Sequence, residues 1–150
     1  MTMHMSQLVT LELVGGIKGG YGPEQLGWVR ILPDGTSQGG AGGGNWTVPE
    51  NLSLVVTDLD WQWNDHGATN AGVAVTLRLL IAPADDDKRA RRLLESTITL
   101  SPVGQGGTTT HWTTGGMFGP GTRIGIDTTP LSSQSHLQHV LLHGHLVSIR

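Results

Sequence analysis

The sequence predicts an all-β protein: a single-domain antiparallel β-sandwich of jelly-roll type with about eight to nine strands. Three observations carry that expectation. Short runs rich in Thr, Val, Leu and Ile are separated by glycine punctuation, with 23 glycines in 150 residues. No helix of ordinary length fits between these runs. No internal repeat with a period of about 20–50 residues is present, which disfavours a propeller or solenoid.

Each element follows from local pattern. Gln7–Val14 (QLVTLELV) alternates Leu and Val with polar residues until Gly15 and Gly16 break it. Leu26–Leu32 (LGWVRIL) is a second strand, closed by Pro33-Asp34-Gly35-Thr36, where proline pre-sets φ and glycine relieves the tight end of the turn. Between Gly39 and Gly44 only Ala41 is not glycine, so ordering this stretch costs much backbone entropy and a mobile loop is expected. Leu52–Trp63 (LSLVVTDLDWQW) is a long strand. Simple alternation puts Val55, Thr57, Leu59, Trp61 and Trp63 on one face and Leu54, Val56, Asp58, Asp60 and Gln62 on the other. Both faces begin apolar, so the first half is expected to be buried on both sides. Val73–Ala82 (VAVTLRLLIA), after a turn at Asn64–Gly67, is expected to be its hairpin partner.

The connector from Pro83 to Arg92 places Asp85, Asp86 and Asp87 before Lys88, Arg89, Arg91 and Arg92. It is expected to be a solvated charged loop, although acids before bases would also suit one helical turn. Leu93–Leu100, Thr108–Thr114, Thr122–Thr128 and Leu137–Ile149 complete the strands, with glycine turns at Gly104–Gly107 and Gly119-Pro120-Gly121.

Composition restricts function more than it identifies it. A chain of 15.9 kDa matches one domain, spanning residues 1–150, and at this length folding buries about 68–70% of the unfolded surface. With 37% hydrophobic and 14% charged residues it is too apolar and too weakly charged to be disordered. A net charge of −3 and a pI near 6.1 provide no extended positive field, which argues against nucleic acid or an anionic membrane as partner. The start, Met1–Leu8, lacks the basic and apolar regions of a secretory signal, and no run approaches the ~18 apolar residues of a span. A soluble protein is expected, with its compartment left open. Zero cysteine removes disulfides and thiol chemistry from consideration.

Three constellations could carry chemistry. His139, His143 and His145 share parity on the last strand, and paired imidazoles of this kind begin cupin-type metal sites. No further ligand frames them within the chain, although one histidine per protomer on a rotation axis could supply three ligands that no single chain contains. The expected role of His139, Leu141, His143 and His145 is an exposed or inter-subunit face. Trp61 and Trp63 share a face and could stack on a sugar ring, with Asp58, Asp60 and Gln62 supplying hydroxyl partners; core packing is the competing expectation for all five tryptophans. Asp58 and Asp60 form a carboxylate pair without a pocket to separate their roles. Asp85–Asp87 lacks the ligand spacing of a calcium loop, and Ser132, Ser133 and Ser135 near His136 lack the context of a nucleophile elbow. No cofactor is implied.

The C-terminal third runs from His111-Trp112-Thr113-Thr114 through Gly119-Pro120-Gly121 to Thr122-Arg123-Ile124-Gly125-Ile126, a Ser-rich loop, and His143-Gly144-His145-Leu146-Val147. In order and punctuation this resembles the closing strands of the tumour-necrosis-factor/C1q-like jelly rolls. The likeness covers about a quarter of the chain; Thr122 replaces the family's usual acid after glycine, and aromatic residues other than tryptophan are nearly absent. The resemblance implies a compact homotrimer that buries one sheet at a three-fold axis and binds partners through its loops.

The leading expectation is a non-catalytic structural or protein-interaction domain that self-assembles through β-sheet faces. The alternatives are a glycan-binding module on Trp61 and Trp63, and a metal-dependent enzyme on the C-terminal histidines.

Overall fold

In the computed structural model, residues 7–14, 27–39, 46–64, 72–83, 91–129 and 137–148 are described. They form nine strands and no helix: β1 (Gln7–Val14), β2 (Gly27–Ile31), β3 (Ser37–Gly39), β4 (Leu52–Asn64), β5 (Ala74–Ala82), β6 (Arg91–Thr99), β7 (Gln105–Phe118), β8 (Arg123–Thr129) and β9 (Leu137–Ser148). Two antiparallel sheets face each other. The large one has the order β3-β2-β1-β9-β4-β7, and the small one β6-β5-β8. From β4 onward the chain passes to the small sheet for β5 and β6, then alternates through β7, β8 and β9, as in a jelly-roll sandwich.

The turn at Pro33–Thr36 forms as expected. Leu32 O accepts from Gly35 N at 2.8 Å, Gly35 has φ +86°, and Asp34 Oδ1 accepts from Thr36 N and Thr36 Oγ1. It joins β2 to the short β3, a strand the pattern did not announce because Ser37-Gln38-Gly39 carries no apolar alternation. The glycine stretch 40–44 and the acidic-to-basic part of the connector, 84–90, lie outside the described residues, as do Ser132–His136.

The expected β4–β5 hairpin does not form. β4 pairs with β7 and β9, whereas β5 pairs with β6 and β8. Each strand has one strongly apolar face, and β4, between β9 and β7 in the large sheet, and β5, at the centre of the small one, turn those faces into the shared core.

Simple alternation along β4 is also corrected. The register shifts between Val56 and Asp58 against both neighbours, and on β7 the partner jumps from Gly116 to His111. Thr57 is thus the extra residue of a bulge, which reverses the parity of everything after it. Leu54 and Val56 before the bulge, and Leu59, Trp61 and Trp63 after it, are all buried. Val55, Asp58 and Asp60 turn outward and are half-buried, so the first half of β4 is not buried on both sides.

The core joins these residues to Val9, Leu11, Trp28, Val75, Leu77, Leu79, Ile98, Phe118, Ile124, Ile126, Val140, Leu142 and Leu146. Each large aliphatic side chain removed from water contributes roughly 1.5–3 kcal/mol before entropy is counted. Two indoles tie the sheets together at opposite sides. Trp28 Nε1 donates to Ile124 O at 2.9 Å, and Trp61 Nε1 donates to Ser96 Oγ at 2.8 Å. Ser96 Oγ is in turn 2.6 Å from Thr110 Oγ1, so β4, β6 and β7 share one buried polar chain. Among the described residues no helix is long and apolar enough to cross a membrane.

Candidate functional site

The two outer faces of the sandwich differ sharply in charge. On the small sheet, Arg78 at the centre of β5 reaches Glu95 at 3.2 Å, Asp127 at 3.5 Å and Thr129 Oγ1 at 2.5 Å, and Thr76 pairs with Thr97 at 2.8 Å. Its acids and bases are interleaved across the strands, as suits a face toward solvent.

The large sheet presents a different surface. Strands β1, β9, β4 and β7 contain no Lys or Arg at all; their only ionisable side chains are Glu12, Asp58, Asp60, His111, His139, His143 and His145. The registers place these on one side and order them in rows across the sheet. Thr10, His143, Asp58 and His111 form one row. Glu12, Leu141, Asp60 and Thr109 form the next on one side, and Leu8, His145, Val55 and Met117 the next on the other. With neighbouring strands about 4.8 Å apart, each row spans about 14 Å.

The central row is hydrogen-bonded. His111 Nδ1 donates to Asp58 Oδ1 at 2.8 Å, Thr57 Oγ1 donates to Asp58 Oδ2 at 2.7 Å, and His143 Nδ1 shares a 3.3 Å bond with Thr10 Oγ1. The hydroxyl of Thr57 on one side and the imidazole of His111 on the other hold the Asp58 carboxyl below its ordinary value of 3.8. The bulge makes this possible, since it delivers Thr57 beside Asp58 and turns Asp58 outward. A carboxyl whose folded value is depressed stabilises the fold above its unfolded value, and that contribution disappears as the pH falls through the lower folded value. Asp58→Asn is therefore expected to flatten the acid side of the stability profile. Thermal midpoints of the two proteins should converge as the pH falls below the ordinary carboxylate range; a constant gap down to the lowest pH would contradict the linkage.

The apolar row is the more exposed. Leu8 is 84% and Met117 59% exposed, at opposite ends of a line whose middle is His145 and Val55. No protein-family model matches the chain, and no curated protein gives a significant match.

His139, Leu141, His143 and His145 share the outer face of β9, all half-buried, as parity implied. Asp58, Asp60 and Gln62 lie on the same outer side of β4. Trp61 and Trp63 do not join them: the first is 0% and the second 2% exposed, both on the inner side. The sugar platform is thereby divided, with its rings in the core and its polar partners outside, because tryptophans and acids that alternate on paper remain on opposite faces after the bulge. Trp28 and Trp46 are buried too, and Trp112 packs against the core.

An open depression of about 590 Å³ at the end of β4 and β7 is lined by Gln62, Trp63, Asn64, Ser101 and Gln105 among others. Its described lining consists of amides, a hydroxyl, an indole and glycines, with no titratable side chain among them. Among the described residues no three His, Asp or Glu side chains are grouped to hold a metal ion. What sequence reasoning missed is His111, whose place beside Asp58 depends on a register jump in β7 that no local pattern reveals.

Proposed function

We propose that this chain is a non-catalytic structural domain that self-assembles into a homo-oligomer through the outer face of β1, β9, β4 and β7. The observation that carries the reading is the row Leu8–His145–Val55–Met117 on a face whose four strands lack Lys and Arg. Contact surfaces are depleted of lysine and enriched in methionine. The small sheet, with its internally paired Arg78, Glu95 and Asp127, is the side left to water.

The occupant of the face is a second copy of the chain. A homotrimer is the closed form favoured by the jelly-roll resemblance, and closure would protect a surface that otherwise invites open-ended association. Light scattering after size-exclusion chromatography, at two protein concentrations and at about pH 6, the acid side of imidazole's ordinary range, is expected to give a stable multiple of 15.9 kDa. A strict monomer at both would overturn the proposal.

A further inference from the structure

The inference concerns how such an assembly would be regulated, and it rests on the self-assembly reading above. The only positive charge that β1, β9, β4 and β7 can carry is imidazolium. With His111, His139, His143 and His145 neutral, these four strands hold three carboxylates, Glu12, Asp58 and Asp60, and contribute a charge of −3. With all four imidazoles protonated the sum becomes four minus three, or +1. Imidazole is the side chain whose ordinary charge change falls between about pH 5 and pH 8, so protons in that range act on this face through its histidines.

We propose that protons gate the contact between copies: the face repels itself above neutral pH and becomes self-complementary as its imidazoles charge against Glu12, Asp58 and Asp60. Like-charged surfaces brought together at short range oppose association, and interleaved opposite charges favour it.

Each imidazole has defined neighbours. His143 faces Thr10 on β1 and Asp58 on β4. His111 faces Asp58 from the edge strand β7. His145 lies between Leu8 and Val55 with no acid in its row, and His139 stands opposite Gln62. Glu12 and Asp60 flank Leu141, one row from His143. The charges are therefore mixed across the face. A second copy can set imidazoles against carboxylates in several rotations.

Sedimentation velocity at constant ionic strength, from about pH 8 to about pH 6, tests the gate. Uptake of a single proton on association tightens binding by up to about tenfold per pH unit, so the dissociation constant is expected to fall by about ten- to a hundredfold across these two units. Two variants separate the face from the approach of the whole chain to its pI. Asp60→Asn removes a carboxylate from the face and is expected to tighten association at pH 8; Glu50→Gln makes the same charge change on an exposed loop and is expected to leave it unchanged. An oligomer whose dissociation constant is the same at every pH, or which responds equally to both variants, would overturn the gate while leaving self-assembly intact. A monomer throughout would overturn both.

Discussion

Replacing Gly144 with alanine is expected to destabilise the protein by about 3 kcal/mol or more, at the upper end of overpacking penalties, and valine should cost more still. Gly144 sits in β9 opposite Val56 on β4 and Val9 on β1. A Cβ built there would overlap the Val55 carbonyl oxygen, lie 2.9 Å from its carbon and come within 3.1 Å of Val56 Cα. All three are backbone atoms of a central strand, so no side chain can rotate away to make room. The crowding lies beside the bulge: the register of β4 against β9 shifts immediately after the Val56–Gly144 pair, and only a residue without a side chain fits so close to that backbone. The contrast is Gly119, which has open space around its missing Cβ. Gly119→Ala should be neutral or mildly stabilising through the unfolded state. Urea unfolding of both variants checks the pair; a wild-type midpoint for Gly144→Ala would mean that β9 does not approach β4 at the bulge.

Trp61→Ala is expected to cost about 3–5 kcal/mol, the range for deleting a fully buried aromatic. The ring is 0% exposed and packs between the two sheets. Its removal also takes the indole donor from Ser96 Oγ, which retains Thr110 Oγ1 as partner. Ser96→Ala works from the other end: it leaves Trp61 Nε1 buried without its acceptor, at about 1–3 kcal/mol. The two variants should be less than additive when combined, because both remove the same bond. A Trp61→Ala protein as stable as wild type in chemical denaturation would place the indole outside the core.

The bulge at Thr57 also explains how far the sequence could be read. The all-β sandwich and most strand positions were legible because turn residues and period-two runs are local signals: Pro33–Thr36 closes β2, and Gly119–Gly121 precedes β8. The outer face of β9 was legible for the same reason, since His139, Leu141, His143 and His145 lie beyond the irregularity opposite Gln62 and keep their parity. Bulges and crossovers are not local. Nothing in LSLVVTDLDWQW marks Thr57 as the inserted residue, so the assignment of faces failed in the first half of β4. The pairing of β4 with β7 and β9 rather than β5 depends on which apolar faces bury each other across the core. His111 reaches Asp58 only through a register jump in a partner strand 53 residues away. The candidate site was thus half visible: its histidine row could be read along one strand, and its acid, threonine and second imidazole needed the sheet.

The most direct test of self-assembly is the solution mass of a variant carrying both Leu8→Glu and Met117→Glu, compared with wild type and with Thr97→Glu on the outer face of the small sheet. Leu8 and Met117 are exposed, so neither change disturbs the core, and both add charge to the row proposed to meet its neighbour. Self-association through the large sheet predicts a monomer of about 15.9 kDa for the double variant and an unchanged oligomer for Thr97→Glu. A double variant with the same mass as the wild-type oligomer would contradict it.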